Sequence, residues 1–412
     1  MARVVEAVLP ARMGTPFRWL VGSSWASDLG DGLAVAAGPL LVASQTSDPV
    51  LVALAGLLQR LPWLLFGLHA GVLADRVDRR RVVLAVDVLR AGVLAVLVTA
   101  LVTGAVDVTV VLVTVFVLGT AEVFADTTSA TLLPMAVPRA DLGVGNARIM
   151  AGRITMNQLV GPAVGAVLFA VGTAWPFAVQ AVCLLLAAVL VSRMAVPPLP
   201  SPEGPRHVGR DIAEGFRWTW GSPAVRTLTL AIVTFNVTWG AAWSVLVLYA
   251  AERLGLGPVG FGLLSTVGAL GGIAGTAAYD RLERRVGLAW LMRVGLVIET
   301  LTHLGLALTT TPWVAMTIVF VFGVHAFVWG TTSRTVRMRA VPAHLQGRVG
   351  SLYAIGVFGG IVAGQALGGV IARVWGVTGP FWFAFVGSAV ILALIWRQLA
   401  HIAHADEAAL VT

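Results

Sequence analysis

Six charged residues stand inside stretches of this chain that are otherwise too apolar for them: Asp28, Asp31, Arg60, Glu122, Asp126 and Arg153. Asp28 and Asp31 are three residues apart, on adjoining parts of one helix face, and Glu122 and Asp126 are four apart, again on one face. A charge in the middle of a bilayer costs at least about 2.5 kcal/mol on insertion scales, so each needs a reason. One reason is structural: Asp28 or Asp31 paired with Arg60, and Glu122 paired with Arg153. The other is chemical: a carboxylate takes up a proton or binds the cationic group of a substrate. A carboxyl held between desolvation, which disfavours its charge, and a neighbouring Arg, which favours it, can exchange protons near neutral pH. The residues alone leave both readings open. The later part of the chain is poorer in charge. It offers Asn236, Trp239 and Trp243, then Glu299 with His303 and His325 with Trp329, each of these pairs four apart. Trp239 and Trp329 could wall an aromatic cavity for a large amphipathic substrate, or simply pack in the core.

The elements that position these groups are membrane helices. Of 412 residues, 58% are hydrophobic and 12% charged, against about 25% charged in soluble domains. Mean hydropathy is +0.89. The apolar runs are continuous rather than alternating, which excludes a β-barrel, and long enough for the roughly 20 residues a span requires. Twelve spans are expected, at roughly 17–44, 49–74, 82–103, 106–134, 141–171, 174–195, 224–250, 258–279, 287–309, 312–341, 344–373 and 377–399. The net charge is +8 and every basic residue is Arg. These arginines flank spans, so they speak of orientation and not of nucleic acid. The even-numbered connections carry Arg76, Arg79, Arg80 and Arg81, then Arg139, then Arg206, Arg210 and Arg217, then Arg281, Arg284 and Arg285. The odd-numbered ones carry almost none. Both termini are therefore expected in the cytoplasm. Met1–Phe17 lacks the apolar core of a cleavable signal, and the single Cys183 supports neither an internal disulfide nor a metal site.

Two charge knots, Gly71–Arg81 (GVLADRVDRRR) and Asp280–Arg285 (DRLERR), read as short charged turns at matching places in the span order. Thr127-Thr128-Ser129 recurs as Thr331-Thr332-Ser333, and Ala136-Val137-Pro138 recurs at the same separation as Ala340-Val341-Pro342. The spacing indicates a duplicated six-helix unit, of the kind that encloses a site near the bilayer midplane. The domains read as 1–195, a linker at 196–222 and 223–412. The linker opens on the stiff PPLPSPEGP and continues into an amphipathic helix carrying Phe216, Trp218 and Trp220, expected on the cytoplasmic face.

On Gly71, Asp75, Arg76, Arg79 and Arg80, with the weaker second copy at Asp280 and Arg281, the chain resembles the major facilitator superfamily. Ser27-Asp-Leu-Gly-Asp31, Leu61-Pro-Trp-Leu-Leu-Phe-Gly67 and Glu214-Gly-Phe-Arg-Trp218 are similar to its enterobactin-exporter and macrolide-efflux branch. The resemblance implies an all-α fold of twelve helices in two pseudo-symmetric bundles, with spans one, four, seven and ten lining a cavity. It implies that the Asp75 carboxylate meets the N-terminus of span eleven, expected near Pro342, and that the loop charges clasp the halves on the cytoplasmic side. Gly161, Pro162 and Gly165 in span five are similar to the glycine-proline motif of antiporters, with Asn157 and Ala166 where that pattern often has glycine. The Arg that proton-coupled relatives often carry in span four is missing; Glu122 and Asp126 stand there instead. Asp31, in the branch-like stretch of a cavity helix, is the first candidate for coupling. Glu299 with His303 ranks below Asp31 and Glu122, because span nine lies outside the cavity in this fold.

The expected function is secondary transport: proton-coupled export of hydrophobic or amphipathic small molecules across the inner membrane by a monomer. No cofactor, metal or nucleic-acid partner is expected. Export of a siderophore or other secreted metabolite is the alternative, and a receptor or scaffold that moves nothing is an alternative of another class. No GxxxxGK[ST] stretch is present to cradle ATP phosphates, and no nucleophile–base constellation points to an enzyme.

Overall fold

In lipid every backbone N–H and C=O must find its partner within the protein, and a continuous apolar run does so as a helix. The computed structural model describes residues 11–195, 208–342 and 345–399, and no strand occurs among them. In chain order the helices are α1 (Gly14–Gln45), α2 (Pro49–Arg76), α3 (Arg79–Thr103), α4 (Val108–Ser129), α5 (Leu142–Gly152), a π-helical stretch (Arg153–Val160), and α6 (Gly161–Val171). They continue with α7 (Trp175–Ser192), α8 (Val208–Gly221), α9 (Pro223–Trp243), α10 (Leu246–Glu252), α11 (Pro258–Val286) and α12 (Leu288–Leu308). The last three are α13 (Pro312–Ala340), α14 (Gln346–Trp375) and α15 (Gly379–Ile395). Among the described residues ten helices are long and apolar enough to cross a membrane, eleven if the bent pair α9 and α10 is one span, and α15 is a shorter apolar helix. This agrees with a twelve-span chain.

The helix ends follow local chemistry. Asp78 caps α3, its Oδ1 accepting from the N–H of Arg80 at 3.0 Å and of Arg81 at 3.3 Å. Asp107 caps α4, accepting from Val110 N–H at 2.8 Å. Prolines 49, 223, 258 and 312 stand in first turns, where the missing N–H costs nothing.

The expected boundaries hold in part. The fourth span is borne out as Val108–Ala136, although its regular α-helix ends at Ser129 and continues through a helical turn at Leu133–Ala136. The seventh is broken between Trp243 and Leu246 and bends by 41°. The α-helix of the eleventh span begins at Gln346, with the Leu345 N–H donating to the Pro342 carbonyl at 2.9 Å just before it. The second charge knot is not a turn: α11 runs on to Val286 and carries Asp280–Arg285 in its last turns. The linker's proline-rich start lies outside the described residues. Its amphipathic part is helical, as α8, with Phe216 and Trp220 exposed and stacked at 5.3 Å.

The chain divides into two compact units. The first comprises 1–47, 58–203 and 257–266; the second comprises 48–57, 204–256 and 267–412. In the first, α1 packs on α6 and α7, and α3 on α4 and α7. Its core gathers Phe17, Leu20, Val83, Leu132, Val191 and Met194. In the second, α9 packs on α14 and α15, and α12 on α13 and α15. Its core gathers Leu228, Phe235, Met292, Leu296, Trp329 and Val336.

The motif around Pro162 has a specific packing consequence. A Cβ on Gly161 would lie 2.5 Å from Gly32 Cα, and one on Gly165 2.9 Å from Leu33 Cα. A Cβ on Gly32 would in turn lie 2.8 Å from Asn157 Cα. Backbone therefore meets backbone between α6 and the stretch of α1 just past Asp31, which is the use of small residues in membrane helices. The π-helical stretch Arg153–Val160 runs directly into this packed segment, a geometry that often accompanies function.

Candidate functional site

Charged side chains from three helices and the π-helical stretch of the first unit meet at a cavity of about 120 Å³, lined by Ser23, Ser24, Ser27, Asp28, Asp31, Val83, Asp87, Ala125, Asp126, Ser129, Ala130, Ile149 and Arg153. α1 supplies Asp28 and Asp31, α3 supplies Asp87, α4 supplies Asp126 and the π-helical stretch supplies Arg153. The period of α1 places Ser24 and Ser27 one turn before the two carboxyls. Ser24 Oγ donates to Asp28 Oδ2 at 3.3 Å, and Ser27 Oγ to Asp31 Oδ2 at 3.4 Å. Gln180 of α7 donates from Nε2 to Asp31 Oδ1 at 3.3 Å.

The organising cation is Arg90 of α3. It is 2% exposed, its Nη2 donates to Asp31 Oδ1, and its Nη1 lies 3.7 Å from Asp87 Oδ1. Its Nε and Nη1 have no hydrogen-bond partner, nor does Asp87 Oδ1. Arg153 Nη2 lies 3.5 Å from Asp126 Oδ2. Four carboxyls thus face two guanidiniums, which leaves two negative charges when all are ionised. Glu122, one turn before Asp126 on α4, adds a fifth carboxyl, acted on by both Arg90 and Arg60. A protein interior does not tolerate such an excess unless protons or a cation offset it.

The expected ion pairs are corrected accordingly. Asp31 pairs with Arg90 rather than Arg60, and Arg153 with Asp126 rather than Glu122. Neither Asp87 nor Arg90 was singled out from the sequence. They sit six and nine residues beyond Arg81, inside the expected third span. The available signal was their i, i+3 spacing within an otherwise apolar span. Burial then decides that they belong to the site.

The other candidates fall elsewhere. Asn236 Nδ2 donates to the Ile232 carbonyl of its own helix at 2.6 Å. Trp239 stacks on Trp243 at 5.5 Å, and Trp329 is buried in the core of the second unit. Glu299 does not pair with His303; its Oε2 lies 3.2 Å from His325 Nε2, because a neighbouring helix, not its own next turn, brings the imidazole to it. In the loop motif, Arg79 Nε donates to the Ala74 carbonyl at 2.9 Å and Arg80 to the Met194 carbonyl at 2.5 Å. These bonds tie the α2–α3 turn to the ends of its own unit. Gly71 has open space where a Cβ would stand, and Arg76 is exposed. The Asp75 side chain lies outside the described set. Asp280 and Arg281 are exposed, and Glu283 of that knot meets Arg339 at 3.4 Å. Among the described residues no group of three or more His, Cys, Asp or Glu side chains is placed to hold a metal ion.

The profile of the family described as transmembrane secretion effector matches residues 7–411. The multidrug efflux pump Tap of Mycolicibacterium fortuitum is 29% identical over 85% of this chain and 88% of its own. The enterobactin exporter EntS of Escherichia coli K12 is 26% identical over 80% of each. Among solved structures, a bacterial homologue of the human lysosomal transporter Spinster superposes with a TM-score of 0.72 at 14% identity, covering 98% of both chains. A bacterial homologue of the iron transporter ferroportin does so with a TM-score of 0.71 at 15% identity, covering 93% of this chain and 98% of that one. These likenesses show the fold.

Proposed function

The chain belongs to the transmembrane secretion effector family of major facilitator transporters, and from that premise we propose that it exports amphipathic small molecules, preferably cationic ones, in exchange for protons. The observation that carries this reading is the excess of carboxyl groups around Arg90 in one small cavity. Two occupants offset the excess: protons on the carboxyls, or the cationic group of a substrate. Because both remove the same uncompensated charge, each weakens the other's binding, and that competition is what exchange requires. A ligand shifts a carrier between its conformations only by binding them unequally. Protonating Asp31 removes the negative charge that the Arg90 guanidinium pairs with, so the proton changes how α1 and α3 hold together. The carrier is placed in the inner membrane with both termini in the cytoplasm, in accord with the arginine bias of the connections.

The name of EntS supports a second reading, export of a secreted siderophore. The negative cavity favours the cationic substrate over an anionic chelator. The test uses purified protein in proteoliposomes with an imposed pH gradient and a lipophilic cationic dye. The wild type should move the dye against its gradient, and Asp31→Asn should abolish pH-driven transport while dye binding persists. Dye flux of the Asp31→Asn protein that still follows the pH gradient would refute coupling through Asp31. A folded wild type that moves neither the dye nor a panel of metabolites, under either gradient polarity, would point to a receptor or scaffold.

A further inference from the structure

The second unit holds a polar cluster that the acidic cavity does not use. α12 and α13 pack side by side and bring Glu299 and His325 together, with Nε2 and Oε2 3.2 Å apart. Glu299 is 8% exposed and His325 5%. His303, one turn beyond Glu299 on α12, is fully buried, and Trp243 and Phe322 close over the two imidazoles at ring distances of 6.0 Å. Gly295 makes the room: a Cβ there would lie 2.7 Å from His325 Nδ1. Within this apolar jacket four ring nitrogens have no hydrogen-bond partner: His325 Nδ1, both nitrogens of His303 and Trp329 Nε1. An orphaned buried polar atom costs about 1–3 kcal/mol, so four in one cluster require a reason.

The charges on the surrounding helices do not supply one. On α12, Arg293 lies between the rings of Trp290 and Trp396. On α13, Arg334 is exposed, Arg337 lies over the Tyr353 ring at 3.6 Å and Arg339 meets Glu283. On α9, Arg226 donates to the Trp220 carbonyl; α11, which packs on α13 beside His325 through Gly271 and Gly275, carries its charges only in its last turns, from Asp280 to Arg285; and α15 carries no ionisable residue. Glu299 and His325 are therefore left to neutralise each other. With no proton between them the pair carries one negative charge, with two protons one positive charge, and only with one proton is it neutral. A low-dielectric jacket selects the neutral form.

We propose that Glu299 and His325 together hold one transferable proton, forming a second proton-binding site in the unit that lacks the acidic cavity. Uptake forms an N–H or O–H bond on one member of the pair and breaks an O–H bond of the hydronium ion that delivers the proton; release is the reverse. The site is separate from the proposed role of the Asp31 cavity, and its test is read without transport.

The experiment combines ¹⁵N-histidine NMR of the purified wild type, in which the 7 histidines are resolved by single substitutions, with infrared difference spectra of the protonated carboxyl stretch. At pH 7 the wild type should show one proton on the pair: an imidazolium at His325 or a protonated carboxyl that Glu299→Gln removes. In Glu299→Gln, His325 should be neutral at pH 7; in His325→Gln, the Glu299 carboxyl should be protonated. A wild type with neutral His325 and ionised Glu299 at pH 7 would overturn the proposal. So would a Glu299→Gln protein whose His325 titrates as before. If either variant fails to fold, the wild-type spectra alone decide.

Discussion

Replacing Arg90 with Met tests most directly whether the cavity's carboxyls are charged and held by that guanidinium. Arg90 is 2% exposed and serves Asp31 and Asp87 at once. Removing one member of a buried pair costs about 3–5 kcal/mol, because the partner stays behind uncompensated. Here two partners stay behind, but they have an escape: each can discard its charge by taking up a proton. The native variant then binds more protons than the unfolded chain, so its stability falls as pH rises, by about 1.4 kcal/mol per pH unit for each extra proton. The penalty of Arg90→Met should approach the full 3–5 kcal/mol at pH 8 and shrink markedly at pH 5.5. At about 2–4 °C per kcal/mol for a unit of this size, that is a loss of about 6–20 °C in melting temperature at pH 8. Thermal unfolding of purified protein, followed by tryptophan fluorescence at both pH values, measures it. Adding Asp31→Asn and Asp87→Asn to Arg90→Met should recover most of the loss and remove its pH dependence. An Arg90→Met protein melting within about 3 °C of wild type at both pH values would refute the reasoning, since the carboxyls would then need no counter-ion.

Two further outcomes follow from local geometry. Gly165→Leu places a side chain where backbone of α1 now stands, with Cβ 2.9 Å from Leu33 Cα; overpacking of this kind costs at least about 1–3 kcal/mol, and the yield of folded protein in size-exclusion chromatography should drop sharply, whereas Gly71→Leu, facing open space, should leave it unchanged. Outside the membrane, Arg373 donates from Nε to Asp48 Oδ1 at 3.2 Å, and this hydrogen bond holds the Asp48 carboxyl below its usual value. A carboxyl depressed in the folded state stabilises at pH values above its unfolded value of about 3.9 and loses that contribution as pH falls through the folded value. Asp48→Asn should therefore cost no more than about 1 kcal/mol at pH 7 at this exposed site, and progressively less as pH falls below about 3.9; a larger loss at pH 3 than at pH 7 would reverse the assignment.

Most of the helix pattern was legible in the sequence, because a membrane span is a one-dimensional property: its length and apolarity are set by the bilayer and need no partner. The departures have particular causes. α9 and α10 break between Trp243 and Leu246, and α11 carries the second charge knot in its last turns instead of a turn; each is a backbone event that hydropathy does not register. Asp28, Asp31, Asp126 and Arg153 were recognisable as site residues, because each is anomalous in its own span.

Which charge answers which was decided only by the tertiary structure. Pairing depends on helix neighbours and rotation, and no spacing along the chain encodes either. Asp31 meets Arg90 because α1 and α3 both pack on α7, and Glu299 meets His325 because α12 lies along α13, although His303 was the nearer residue in sequence. Apolar length sufficed to say that this chain lives in a membrane. The chemistry it holds there was settled when helices distant in sequence turned particular faces toward one another.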